Sequence, residues 1–333
     1  MPVSCVVVAI ASICWFWVVW MDVGVFAGGA AELGLRRVRR CGVLMLLFLP
    51  LVVLGQEPNQ SVYSVRVPWD REYYKTLLQM VLEESKQPGE VIRLEQMQPE
   101  YSQARWIYET QFQPEDQPPL VLWTATSRDR ERVLRPIRIP LLKGLMGKRV
   151  FLIREGEQAR FDRVQTLEDL ARLRAGQGSH WPDTDILRAN GLAVTTTSNS
   201  DLLFRMLRGR RFDYLPRGVT EAWHELETRD TEGLSVERRL VLSYPFALYF
   251  FVNKEHQDLA QRIESGLKGL IVDGRFDHYF FNHPRNKNAL REIQSQPRRV
   301  FYLENSQLPS ETPLQESHLW YQLPFEPKSE ALE

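Results

Sequence analysis

Beyond Gly55 the sequence contains no cysteine: Cys5, Cys14 and Cys41 all fall in the first 55 residues. The remaining body therefore forms neither a disulfide nor a thiolate metal site. An excess of charge of either sign is also missing. Lys and Arg number 42, as do Asp and Glu, and setting aside the first 55 residues leaves 38 basic and 40 acidic. A body so near neutrality has no field to collect a polyanion, which argues against nucleic acid as a partner. Catalytic constellations are absent as well. His180, His224, His256, His278, His283 and His318 show no metal-ligand spacing, and His224-Glu225 lacks the second histidine of a zinc helix. Ser179 and His180 are neighbours in the chain, but a nucleophile and its base must meet in space with an orienting acid. Gly176-x-Gly178-Ser179 has no Gly-Lys-Ser/Thr continuation to cradle a nucleotide phosphate. These absences point away from an enzyme and from any metal or cofactor.

What is present starts at the N-terminus. Arg36, Arg37, Arg39 and Arg40 precede a 15-residue apolar run, 41–55, with Val53 and Gly55 at the small-residue positions before polar Gln56. A basic stretch, a short apolar core and small residues at its end form the pattern of an export leader. No cysteine follows the run, so a lipoprotein anchor is not expected. Residues 3–20 form a second uncharged run, 18 residues long, enough to span a bilayer. Either it is a transmembrane anchor, or translation starts later, for example at Met21. Both readings place the body outside the cytoplasm, in the periplasm.

The body, with the composition of a globular protein, alternates strands and helices. Residues 62–67 read as a strand. Tyr74, Leu77, Leu78, Val81 and Leu82 recur at helical spacing, with Asp70 as N-cap and Gln87-Pro88-Gly89 as stop. Strands follow at 91–94 and 120–123, separated by a helix near 100–110. After a strand at 149–153, Thr166-x-x-Asp169 resembles a capping box. Further strands are expected at 174–177, 192–196, 212–215 and 246–252, with helices between them and a last one over Leu259–Leu270. From about Ser295 the pattern fades into an extended tail. Strands alternating with helices predict an α/β protein with mainly parallel sheets covered by helices.

The order of motifs resembles the type II periplasmic solute-binding proteins of the polar-amino-acid class, over roughly residues 60–295. Thr124-x-Thr126-x-x-x-Arg130 and the following proline-ended segment, 136–140, are similar to that family's Thr-x-Thr-x-x-Arg loop. Gly209-x-x-Phe-Asp213 is similar to its helix-to-strand turn. Tyr244-Pro245 with the apolar strand after it, and Asp273-Gly-x-Phe276, are similar to its return strand and C-terminal helix. The resemblance implies a two-lobed fold, each lobe a sheet flanked by helices, with ligand held in the cleft. It implies a first lobe of 60–145 plus 250–295, a second of 146–249, a leader at 1–55, and a tail at 296–333. The strands at 149–153 and 246–252 would cross between the lobes. The implied function is a monomeric binding protein for a small polar or anionic ligand, serving a membrane permease of the ABC type. The alternative is a sensory or accessory binding module, tethered or soluble; an enzyme on the same scaffold is a more distant reading.

Candidate ligand contacts follow from position and chemistry. Arg128 and Arg130 lie in the loop after a strand, where ligands of parallel sheets bind, and a guanidinium there can hold a carboxylate through two parallel hydrogen bonds. The family pattern has one residue fewer between threonine and arginine, so the choice between the two stays open. A solvated charged face is the competing reading. Thr124 and Thr126 would add hydroxyls. Gly178 and Ser179 open onto a helix N-terminus, a natural anion site, or form a simple turn. Trp69, Trp123 and Trp181 stand at strand ends where an aromatic ring can wall a cleft, or else pack in the core. Arg217 stands where the family commonly places an aspartate for the ligand's ammonium group. A guanidinium there reverses the charge preference towards an acidic ligand, unless Glu221 or Glu225 on the next helix pairs with it. Arg130 and Arg217 are expected to face each other across the opening.

Overall fold

A computed structural model of the chain describes residues 61–68, 72–98 and 101–326, all within one compact unit. The leader and the run at 3–20, as well as Trp69 and the expected cap Asp70, lie outside the described residues. In chain order, β1 (Ser61–Val67), α1 (Glu72–Glu84), β2 (Glu90–Gln96), α2 (Gln103–Gln111), β3 (Leu122–Ala125), α3 (Arg128–Val133) and β4 (Arg135–Ile137) begin the first lobe. The second lobe holds β5 (Lys148–Arg154), α4 (Gln158–Phe161), α5 (Leu167–Ala171), β6 (Arg174–Gly178), α6 (Pro182–Ala189), β7 (Ala193–Thr197), α7 (Leu202–Arg208), β8 (Leu215–Gly218), α8 (Val219–Thr228), β9 (Leu234–Val236) and β10 (Leu240–Ser243). The chain then returns through β11 (Leu248–Val252), α9 (Gln257–Val272), α10 (Arg275–Asn282) and α11 (Pro284–Gln294), and ends with β12 (Arg299–Tyr302).

Helical spacing translates directly into burial. Tyr74, Leu77, Leu78, Val81 and Leu82 of α1 are all in the core, as are Leu259, Ile263, Leu267 and Leu270 of α9. The Thr166 box closes: Asp169 N donates to the Thr166 hydroxyl at 3.2 Å while the Asp169 carboxylate accepts from Thr166 N.

The sheets are mixed. Pairing is parallel in β1–β2, β6–β7 and β10–β12. It is antiparallel where β11 meets β3 and β4, and where β5 meets β8, β9 and β10. A strand that arrives from the other lobe enters its new sheet from the opposite end, so it runs against its neighbours. The sheets are therefore less parallel than the strand–helix alternation predicts.

The strands expected to cross belong to one lobe each: β5 lies in the second lobe's sheet, β11 in the first lobe's. The crossings themselves are the short segments 138–147 and 244–247. They run side by side, tied by Tyr244 N donating to Gly147 O at 3.1 Å. Lys143 (φ 48°) and Gly144 (φ 71°) place two consecutive left-handed residues in the first crossing.

Candidate functional site

A cavity of about 1130 Å³ opens between the lobes. Tyr74, Gln103, Trp123 and Thr124 line it from the first lobe, and Arg149, Trp181, Asp183, Arg217, Glu221 and Glu225 from the second. Trp123 is nearly buried and stacks on Tyr74, with ring centroids 5.6 Å apart. It therefore serves both readings, packing and wall.

Arg130, on α3, the short helix that replaces the expected loop, does not itself line the cavity but bonds Gln103, Thr124 and Ala125, which do. Ser127 caps that helix, accepting from Arg130 N at 3.3 Å. The guanidinium donates to the Thr124 hydroxyl at 3.0 Å, to Ala125 O at 2.6 Å and to Gln103 Oε1 at 2.6 Å. These acceptors are all neutral, and among the described residues no carboxylate pairs with it. Burial pushes its pKa down to about 10, with the field of Asp183 acting in the other direction, so it remains a cation at neutral pH.

Arg128 is exposed on the same helix and its backbone N–H donates to Gln307 O at 3.3 Å; it does not line the cavity. Helix geometry sends Arg128 and Arg130 to different faces. Thr126 is turned to structure: its hydroxyl donates to Glu131 at 2.6 Å and its backbone N–H to Ala247 O at 2.9 Å.

Arg217 is in the cleft wall and is fully engaged. Its Nε and Nη2 make parallel bonds to Glu225 at 2.7 and 2.6 Å, and Glu221 lies 3.2 Å away. Its guanidinium carbon sits 4.7 Å from the centre of the Trp181 ring. Arg217 thus follows the alternative reading, paired with the glutamates of the next helix: β8 runs straight into α8, which delivers both one and two turns along. Burial opposes the charge on Arg217, but Glu221 and Glu225 outweigh it and raise its pKa.

Gly178 and Ser179 do not line the cavity. Ser179 N donates to Thr197 O at 2.9 Å. The first turn of α6 instead carries Asp183, whose own carboxylate stands where an incoming anion would meet the helix. Gly178 has a packing role. A Cβ there would lie 2.6 Å from the Trp181 indole, so only glycine lets that ring lie against the strand. Gly178→Ala is expected to lower stability by about 1–3 kcal/mol, read as a lower denaturation midpoint with altered tryptophan emission; an unchanged midpoint would show that Trp181 moves freely.

Several site residues carried no signal of their own in the sequence. Arg149 Nη2 lies 2.5 Å from Asp183, its Nε donates to the Tyr244 hydroxyl at 3.0 Å, and Glu221 is 3.4 Å away. The Tyr244 hydroxyl also donates to Asp183. Burial raises the Tyr244 pKa well above its usual value, so it stays a donor. Five buried charges from three separate segments thus close on themselves. Arg149 and Arg217 against Asp183, Glu221 and Glu225 leave the second lobe's wall one negative charge in excess. Arg130, bonded to Gln103, Thr124 and Ala125 of the opposite wall, puts one positive charge behind it. Among the described residues no cluster of His, Cys, Asp and Glu could hold a metal ion, and no helix is long and apolar enough to cross a membrane.

The fold is that of the two-lobed periplasmic binding proteins. The chain is similar in structure to a probable amino-acid ABC transporter extracellular-binding protein from Bacillus subtilis, at 14% identity, covering 68% of this chain and 99% of that one, with a TM-score of 0.52. It is also similar to an arginine-specific periplasmic binding protein from Salmonella typhimurium (15% identity, 66% and 97% covered, TM-score 0.48). A third similar structure is an amino acid ABC transporter substrate-binding protein from Streptococcus pneumoniae bound to L-arginine (16%, 69% and 93%, 0.48). No family model matches the chain, and no curated protein matches it in sequence.

Proposed function

We propose that the chain is an exported solute-binding protein that closes on a small polar ligand between its lobes and passes it to a membrane permease of the ABC type. It works as a monomer in the periplasm, released from its leader at Gly55–Gln56, and does no chemistry on the ligand. The observation that carries this reading is Arg130, a charged guanidinium just behind the cavity residues Gln103, Thr124 and Ala125, whose hydrogen-bond partners are all neutral. A half-buried cation without an anion is costly, and a ligand carboxylate supplies the missing charge through paired hydrogen bonds. The negative excess of the opposite wall favours a cationic group at the ligand's other end. A compact zwitterion fits this polarity better than a dianion, because Arg217 already has its own glutamates.

A ligand that binds only the folded state raises its stability, by about 2.7 kcal/mol at a hundred times its Kd. Thermal denaturation with panels of amino acids, dicarboxylates and simple amines is therefore expected to show upward shifts confined to the amino acids. Shifts confined to dicarboxylates would overturn the zwitterion reading, and no shift from any of the three would overturn the binding function.

A further inference from the structure

The last part of the chain contacts both crossings between the lobes. β12 pairs with β10 of the second lobe, and Leu303 N continues the ladder to Ser243 O at 2.9 Å. Asn190 of the same lobe exchanges two bonds with the backbone of Glu304, at 2.8 and 3.0 Å. The chain then moves to the crossings. The Asn305 amide donates to Pro245 O, in the second crossing, at 2.9 Å. Gln307 O accepts from Arg128 N of the first lobe.

Further along, the segment reaches the first crossing. Tyr321 N donates to Lys143 O at 2.7 Å, and the Lys143 ammonium donates back to His318 O at 2.7 Å and to Asp277 of α10. The Trp320 indole covers Gly144 so closely that a Cβ there would lie 2.4 Å from it. Leu319 and Leu323 are buried in the core. Glu326 finally bonds the first residue of β5 and the last of β10 together: the Lys148 ammonium lies 2.5 Å away and the Ser243 hydroxyl donates at 2.8 Å.

We propose that residues 303–326 form a clasp on the hinge, a third link between the lobes that holds their angle and restrains opening. This inference rests on the reading of the chain as a two-lobed binding protein. Lobe closure needs a few residues at element ends to absorb a large backbone rotation. Here the left-handed pair Lys143-Gly144 is the natural place for it, and both of those residues are held by the segment. Glu326 adds a tie between β5 and β10 at the strand ends where the crossings meet the second lobe. Rotation of one lobe against the other must break or slide these contacts, since the segment is anchored on each lobe and on each crossing. Releasing the clasp therefore shifts the population towards open forms.

The experiment measures the distance across the cleft by pulsed electron spin resonance, with labels on cysteines placed at Thr76 and Glu227, two exposed positions on opposite lips. The body has no native cysteine, so the full chain needs only Cys5, Cys14 and Cys41 changed to serine. Trp320→Ala removes the cover of Gly144, and the milder Asn305→Ala removes the bond to the second crossing at Pro245. A lost hydrogen bond changes an equilibrium by roughly two- to tenfold, and each variant is expected to raise the long-distance population by about that factor. Should Trp320→Ala fail to fold, Asn305→Ala decides alone. A distance distribution in the folded variants identical to the parent overturns the clasp, while ligand-induced stabilisation of the parent would still support binding. A broadened distribution with no ligand from the panels would support the clasp and count against the binding function.

Discussion

Arg217→Ala is expected to destabilise the fold by about 3–5 kcal/mol, because it strands two buried carboxylates. Glu225 loses both of its parallel bonds and Glu221 loses a neighbour at 3.2 Å. All three side chains are largely buried, so water cannot replace the guanidinium without opening the wall. Trp181 loses the cation over its ring as well. The loss comes mainly from uncompensated charge rather than from the worth of the pair. Arg217→Leu combined with Glu225→Leu should therefore recover much of the stability, since well-packed apolar replacements of buried pairs are often neutral or better. Urea denaturation of the single and double variants measures both. A single-variant loss below about 1 kcal/mol would show that solvent reaches the glutamates and that the pair behaves as a surface bridge.

Arg130→Ala is expected to act on affinity and hardly on stability. Hydrogen bonds to charged groups contribute about 1.5–3 kcal/mol each, so binding of a carboxylate ligand found by the thermal panels should weaken roughly tenfold to hundredfold. Folding should lose little, because the guanidinium's acceptors are neutral and its desolvation is relieved when it is removed. Arg130→Lys should also weaken binding, since an ammonium cannot reproduce two parallel bonds to one carboxylate. Calorimetric titration of the parent and both variants provides the test. Affinity of Arg130→Ala within about twofold of the parent would remove this residue from the ligand's contacts. The contrast between the two arginines is the useful one: the side chain is braced by carboxylates at 217 and has only neutral partners at 130, where the ligand anchor is proposed.

Much of the architecture was legible without coordinates, for a local reason. Helical or alternating placement of apolar residues, capping threonines and stop glycines act within a few residues of each other, so α1, α9 and the Thr166 box stand where periodicity and caps put them. The strand expected at 212–215 was displaced rather than absent. Tyr214 bridges to Ala175, and the regular pairing with β5 starts at Leu215. Helices α10 and α11 escaped notice because His, Asn and Arg dilute their apolar stripe, leaving Phe276 and Phe280 as the main core contacts of α10.

Site chemistry divided along the same line. That Arg130 follows a strand near Thr124, that Arg217 precedes two glutamates on a helix, and that the body has no thiol or metal motif could all be read along the chain. Those are facts of adjacency along the chain. Whether an arginine near the cleft is free or paired depends on segments far apart in sequence, and so emerges only once they pack. Arg149 meets Asp183, 34 positions away, and Tyr244, 95 positions away. The tail read only as an extended end for a similar reason. Its residues have no periodicity of their own, because their partners are Ser243, Pro245, Lys143 and Lys148, and a strap is held by the surfaces it crosses rather than by its own pattern.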